Sequence, residues 1–470
     1  MMNTPLQIQP DQIRAGFSRA MSEMYQTEVP LYSTLLQIVA QTNRQAMAEH
    51  PELKKHLART GEIERLNMER HGAIRVGTAA ELAMLRRLFA VMGMVPVAYY
   101  DLAPAGVPVH STAFRAIHET SLQVSPFRVF TSLLRLELIE QPQLRQLAAE
   151  ILARRNIFTP RAIELIKRHE TAGGLTQQEA DDFITQALET FRWHNTATVS
   201  AEIYQRLHDQ HRLIADVVAF KGPHINHLTP RTLDIDAVQR AMPEHNITPK
   251  AVIEGPPTRR CPILLRQTSF KALEEQVAFP QGNGQSIQGK HTARFGEIEQ
   301  RGAALTAKGR ALYDRLLQAA QDELQQPASE KNSDRYMALL SHHFSAFPDD
   351  HGAMRSQELA FYRYFPTGKM PDTELKKRNS TSLDDLINSG YIDFEPLVYE
   401  DFLPVSAAGI FQSNLGDKVQ THFSEHSSRE AFERDLGVPV IDELALYEVT
   451  QRRSIAACAQ ILGLTEILSN

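Results

Sequence analysis

Two histidines, 156 residues apart, open segments of the same kind. His71-Gly-Ala-Ile-Arg75-Val-Gly-Thr78 leads into an apolar-periodic run, and so does His227-Leu-Thr-Pro-Arg231-Thr-Leu-Asp234. In each, a helix-capping residue (Thr78 or Asp234) stands seven positions after the histidine. A strand that starts on an imidazole and feeds a helix, twice in one chain, is the pattern of a metal centre shared between two halves. His224 competes with His227 for the second position. Residues three apart on a strand point to opposite faces, and Gly222-Pro223 with Pro230 argue against a helix there. Only one of the two should enter a shared site, and the distance to Asp234 favours His227.

Glu297 and Glu299 stand in Arg294-Phe-Gly-Glu297-Ile-Glu299-Gln-Arg-Gly302. On a strand both would face one side, together with Phe295. A carboxylate turned inward is costly unless it is paired or bound to a metal. Either glutamate with His71 and His227 would complete a two-His-one-carboxylate set, which leaves open coordination positions and suits non-haem Fe(II). An edge strand with solvated glutamates explains the same spacing. Arg75, four residues beyond His71, shares its strand face at roughly 13 Å, taking ~3.3 Å per residue. An arginine there can pair one end of a short linear diacid whose other end sits at His71. Pairing with a neighbouring Asp or Glu is the purely structural explanation. Arg266-Gln-Thr-Ser-Phe-Lys271 could add inward donors. Pro404 to Asn414 is rich in small residues around Gly409, as where backbone approaches a ligand closely.

The elements that must position these residues repeat. The first set runs His71–Val76 (strand), a capping box Thr78-Ala-Ala-Glu81 opening a helix with a Leu82, Leu85, Leu88, Phe89, Met92 stripe, then strands over 95–102, 109–117 and 127–134. The second runs from His227 (strand) through a helix with Ile235, Val238 and Met242, then strands over 248–254, 263–270 and 292–300. Both read β-α-β-β-β. The expected division is an N-terminal helical segment 1–61, a first βαβββ unit 62–135, a helical insertion 136–215, a second unit 216–302, and a helical and mixed region 303–470 that completes the site.

Bulk properties exclude several classes. The net charge of −6 shows no basic bias, so nucleic acid is not an expected partner. Two cysteines, Cys261 and Cys458, without paired spacing rule against a disulfide scaffold and a cysteine-ligated zinc site. No stretch has the roughly 20 apolar residues of a membrane span, and the N-terminus lacks the pattern of a leader, so a cytoplasmic protein without a membrane partner is expected. P-loop, GxGxxG, HExxH and GxSxG motifs are absent from the sequence. Oligomeric state is not legible.

His71-Gly-Ala-Ile-Arg75, His227-Leu-Thr-Pro-Arg-Thr-Leu-Asp-Ile-Asp236, Arg294-Phe-Gly-Glu297-Ile-Glu-Gln-Arg-Gly and Asp401-Phe-Leu-Pro-Val405-Ser406 closely resemble the 2-oxoadipate dioxygenase/decarboxylase (D-2-hydroxyglutarate synthase) family over nearly the whole chain, with the enterobacterial branch as the expected home. The resemblance implies an α+β vicinal-oxygen-chelate fold in which paired βαβββ units form a half-barrel around a metal. It implies Fe(II) as cofactor, and 2-oxoadipate, a small 2-oxo diacid, with O2 as substrates, giving 2-hydroxyglutarate and CO2 in lysine breakdown. It places the metal on His71, His227 and Glu297, with Glu299 the alternative. It places substrate contacts on His71, Arg75, Val405 and Ser406. The alternative is a metal-dependent isomerase or lyase of the glyoxalase type, acting on a small oxo acid without O2.

Overall fold

A computed structural model describes residues 7–282, 284–326, 328–402 and 429–468. The chain is mixed α+β and divides into two compact units. The first comprises Met1–Glu254, Gln267–Gln300 and Asp401–Ile441; the second comprises Gly255–Arg266, Arg301–Glu400 and Asp442–Asn470.

In the first unit, β1 (Arg70–Val76), the helix Ala79–Val91, β2 (Val95–Asp101), β3 (Val109–Arg115) and β4 (Arg128–Leu134) follow the expected order. The capping box forms: Thr78 Oγ accepts from the Glu81 amide and the Glu81 carboxylate accepts from the Thr78 amide. Behind it Leu82, Leu85, Leu88 and Phe89 are fully buried, each contributing roughly 1.5–3 kcal/mol relative to exposure. Gly93 takes φ +66°, which ends the helix at little steric cost. The strands form one sheet in the order β2-β3-β4-β1-β5, with β1 parallel to β4 and β5 (Leu228–Pro230) from the second half antiparallel to β1. Buried on almost its whole length, β1 lies at the join of the two halves.

The second half repeats the topology in a looser form. Asp234 caps the helix Ile235–Ala241 through the Ala237 amide. A parallel bridge joins Arg231 to Glu299, as β1 is joined to β4. β6 (Leu265–Ser269) pairs with β9 (Glu297–Arg301). Two expectations need correction. Residues 248–254 make only isolated antiparallel bridges, Pro249 to Phe270 and Glu254 to Gln267, instead of a continuous strand. The strand expected over 292–300 is the end of one strand and the start of another. An unforeseen hairpin, β7 (Glu274–Pro280) with β8 (Ser286–Thr292), is inserted before β9. The sequence between its strands carries Gly282-Asn-Gly284, a strong hairpin signal.

The N-terminal helices brace the join. Phe17, Met21 and Tyr25 of the helix Pro10–Glu28 are fully buried. The Tyr25 hydroxyl lies 3.0 Å from the Asn226 carbonyl and 2.8 Å from the Phe295 carbonyl, so one donor holds the segments that precede His227 and Glu297. From the helix Pro30–Glu49, Asn43 accepts from the Leu233 amide and donates to the Arg231 carbonyl. The helical insertion is five helices, Pro142–Ala153, Pro160–Ala172, Gln177–Leu188, Ala201–Gln210 and Arg212–Val218.

In the second unit the helix Ala307–Leu324 buries Tyr313, Leu317, Ala320 and Leu324. Strands Tyr362–Pro366 and Ile392–Pro396 pair antiparallel. The amides of Tyr362 and Tyr364 donate to Gln451 and Ser454 of the helix Glu443–Leu462. Cys261 and Cys458 are buried free thiols, as their spacing implied.

At Gly72 the two halves press close together. A Cβ there would stand 2.6 Å from Ile225 Cδ1 and 3.1 Å from the His227 carbonyl oxygen. Gly72→Val should therefore destabilise the chain by about 1–3 kcal/mol through overpacking and weaken metal binding at the neighbouring histidines. Thermal denaturation with and without metal checks this; an unchanged midpoint would show that the join yields freely.

Candidate metal centre

His71 sits near the start of β1, His227 immediately before β5, and Glu297 opens β9. The antiparallel register sets His71 opposite Thr229. The three side chains are buried and their ligand atoms lie within 4.8 Å of one another, the only such group found among the described residues. His71 Nε2 is 3.0 Å and His227 Nε2 3.5 Å from the same oxygen, Glu297 Oε2. Thr229 Oγ1 donates to that oxygen at 2.7 Å and Gln267 Nε2 at 3.3 Å. The His71 and His227 rings are nearly perpendicular, 5.5 Å apart. The Phe402 ring packs edge-on to His71 at 4.7 Å, and the Phe295 ring lies against His227 at 4.9 Å, which keeps the cluster dry.

The electrostatics are those of a site prepared for positive charge. Burial pushes the His227 imidazole down to about 4, so it is a neutral donor near pH 7. Burial also opposes protonation of His71, but Glu299 and Glu297 outweigh it and leave His71 above its ordinary value. Burial works to raise the Glu297 carboxyl; the imidazoles of His227 and His71 and the Thr229 hydroxyl outweigh it and hold it below its usual range. His227 Nδ1 is buried with no hydrogen-bond partner among the described residues. Adjacent ligands about 2.1 Å from one metal stand roughly 3 Å apart, and the separations around Glu297 Oε2 match. The donor set therefore fits a divalent metal bound by two imidazoles and one carboxylate, with open positions.

The second glutamate has a different place. Glu299 Oε2 lies 2.9 Å from His71 Nδ1, on the far side of the ring from Glu297. Its other oxygen faces Arg128 at 3.5 Å. Arg128 reaches Glu69, which also meets Arg65 and Arg231, and Arg231 reaches Glu62. These three glutamates and three arginines are all buried. A carboxylate behind a metal-binding histidine fixes its tautomer and aim.

Arg75 is also buried, and Nη1 donates to Asp216 Oδ2 at 2.8 Å. That partner comes from the helix Arg212–Val218, not from a neighbouring strand. His224 lies away from the cluster, with Nε2 hydrogen-bonded to Asn226 Nδ2 and 3.6 Å from Asp216, and His227, the imidazole that the strand period favours, is the one brought together with His71 and Glu297. Val405 and Ser406, with Gly409 and the whole Pro404–Asn414 stretch, lie outside the described residues. The chain is described up to Phe402, where Arg115 grips Asp401 with two nitrogens at 2.6 and 2.9 Å. Sequence reasoning missed Thr229, Asp216, Phe402 and His291. Asp216 left a signal, a single charge within Leu213-Ile-Ala-Asp216-Val-Val218.

The architecture is mixed α+β, and its buried cluster is a candidate metal site. The chain belongs to the 2-oxoadipate dioxygenase/decarboxylase family, whose model matches residues 17–414. It is 65% identical over 457 residues to the 2-oxoadipate dioxygenase/decarboxylase of Pseudomonas putida, covering 97% of this chain and 98% of that one. It is 57% identical to the Escherichia coli protein of the same name, covering 96% of this chain and 98% of that one. These identities do not single out an enterobacterial relationship. Hydroxyglutarate synthase from Pseudomonas putida, solved with 2-oxoadipate, superposes with a TM-score of 0.89 at 62% identity, covering 97% of this chain and 99% of that one.

The two glutamates can be told apart by experiment. Glu297→Gln should abolish stoichiometric binding of a divalent metal. Glu299→Gln should keep the site but lower its affinity by about 10–100-fold, the usual effect of losing a ligand's support. Metal titration by calorimetry reads both, and equal losses would make the two carboxylates interchangeable ligands.

Proposed function

We propose that this chain is an Fe(II)-dependent dioxygenase/decarboxylase that converts 2-oxoadipate and O2 to 2-hydroxyglutarate and CO2, a cytoplasmic step of lysine breakdown. The observation that carries the reading is the buried His71, His227 and Glu297 cluster within a chain of this family. His71, His227 and Glu297 would hold the iron. Fe(II), when bound, supplies the one-electron chemistry that O2 requires and a place for the 2-oxo acid to chelate. The reaction balances without a second oxidisable substrate: one oxygen atom enters the new carboxylate, the other becomes the hydroxyl, and the old carboxylate leaves as CO2.

The chain's own residues supply geometry. Thr229 and Gln267 fix the Glu297 oxygen that both imidazoles face. Glu299 aims His71 from behind. Phe402 and Phe295 exclude water beside the two imidazoles, which strengthens every charge interaction there. Arg75 pairs the far carboxylate of the diacid, so the distance along β1 selects chain length. Val405 and Ser406 contribute further substrate contacts.

Anaerobically iron-loaded protein given 2-oxoadipate should consume O2 and release CO2 in equal amounts. Turnover of an oxo acid without oxygen uptake would instead mark a glyoxalase-type isomerase or lyase. Arg75→Lys keeps a charge for Asp216 but loses the planar fork. It should lower kcat/KM for 2-oxoadipate by roughly 30-fold or more, the scale for disrupting a buried charged pair, while bound iron stays stoichiometric. Loss of iron in parallel would mean that Arg75 supports the metal site instead of the substrate.

A further inference from the structure

Behind Arg75 lies a second buried polar cluster that the proposed reaction does not use. Asp216 accepts from Arg75 on one oxygen. Its other oxygen is 2.9 Å from His291 Nε2, and the far nitrogen of that ring, Nδ1, is 2.8 Å from the Tyr204 hydroxyl. One assignment of protons satisfies the whole line: the Tyr204 hydroxyl donates to Nδ1, His291 Nε2–H donates to Asp216, and Arg75 donates to Asp216 from the other side. His224 does not compete. Burial pushes it down to about 3, so it is neutral, and its Nε2 faces the Asn226 amide nitrogen. Asp216 is held well below the usual carboxylate range although burial works to raise it; with His224 neutral, Arg75 and the His291 hydrogen bond hold the charge.

The members come from two separate insertions on the βαβββ frame. Tyr204 and Asp216 belong to consecutive helices of the helical insertion, Ala201–Gln210 and Arg212–Val218, and His291 belongs to β8 of the inserted hairpin. The hairpin is tied to residues just before those helices, where the Ala278 amide donates to the Asn195 carbonyl and the Ala197 amide to the Ala278 carbonyl. Trp193 stacks on His291, with planes 8° apart, and meets the His224 ring edge-on at 4.7 Å. Tyr204, Asp216, His224 and His291 are buried and Trp193 is partly so. A satisfied polar line of this kind in a low-dielectric interior is rigid.

We propose that Tyr204, His291 and Asp216 form a positioning relay that fixes the Arg75 guanidinium, and that the helical insertion and the β7–β8 hairpin thereby set the length of 2-oxo diacid that the site accepts. This rests on the reading of Arg75 as partner of the far carboxylate. Asp216 neutralises Arg75, so the pair offers orientation more than net charge. A carboxylate is held well only where the remaining guanidinium N–H groups point. A diacid one methylene shorter ends short of that place, and a loosened Arg75 would follow it.

The test compares kcat/KM for 2-oxoadipate with that for the five-carbon 2-oxo diacid, 2-oxoglutarate, in the iron-loaded full chain. Asp216→Asn should cut that ratio by about tenfold or more, the scale on which enzymes discriminate one methylene, with iron content unchanged. Tyr204→Phe removes one hydroxyl and should shift the ratio the same way by about two- to threefold. Trp193 is the sole tryptophan of the sequence, so its fluorescence under anaerobic titration reads diacid binding without turnover and should lose its preference for the six-carbon acid in Asp216→Asn. A variant that retains iron and the wild-type ratio overturns the relay. If Asp216→Asn does not fold, Tyr204→Phe and His291→Gln decide by the same ratio. Arg75→Lys separates the two readings: a changed ratio there with unchanged relay variants defeats the relay alone, and an unchanged ratio in all of them defeats the role of Arg75 as well.

Discussion

Three antiparallel residue pairs between β1 and β5 hold the duplicated fold together, and the candidate metal centre depends on them. They set Arg70 against Pro230, His71 against Thr229 and Gly72 against Leu228. Because side chains alternate along a strand, a slip of one residue would turn His71 away from Glu297 and Thr229 from the oxygen it holds. So short a ladder cannot fix register alone. The Asn226 amide donates to the Ala73 carbonyl, and Tyr25 reaches both Asn226 and Phe295. The N-terminal helices are part of the site's geometry although they contribute no ligand.

Two polar supports stand behind β1, one for each functional end of the strand. Glu299 lies behind His71 and belongs to a closed set of three glutamates and three arginines. Asp216 lies behind Arg75 and belongs to a line ending on a tyrosine hydroxyl. Burying a charge is expensive, and mutual attraction offsets the cost only where geometry is good and every partner is present. In both supports the charges are matched, so a dry site can hold ionised groups next to a metal position without drifting.

The centre was legible because its chemistry follows strand alternation. His71, His227 and a glutamate on one face could be read from spacing, and the period of two rejected His224. The same rule could not separate Glu297 from Glu299, since residues two apart share a face. Their difference lies in which nitrogen of His71 each one meets, which depends on how β9 sits against β1. His291 and Tyr204 were out of reach, and the lone charge of Asp216 did not say what it would meet, because all three come from insertions whose folding back onto Arg75 is a long-range event. The hairpin is marked locally by Gly282-Asn-Gly284, but the mostly polar and exposed β8 has little apolar pattern to set it apart from a surface loop. The second half is a less regular copy of the first than its sequence pattern implies, since bridges near Pro249 and Glu254 replace a strand.

The closed ionic set has a consequence for descent. Glu62, Arg65, Glu69, Arg128, Arg231 and Glu299 come from four stretches of chain, yet each neutralises another in a place water does not reach. Removing one leaves a stranded charge worth about 3–5 kcal/mol, a large part of the stability of a typical domain. Such positions cannot drift one at a time. Among diverging copies of this chain they should be retained together or exchanged in compensating pairs, so the group forms a ratchet: easy to inherit whole, hard to leave by single steps.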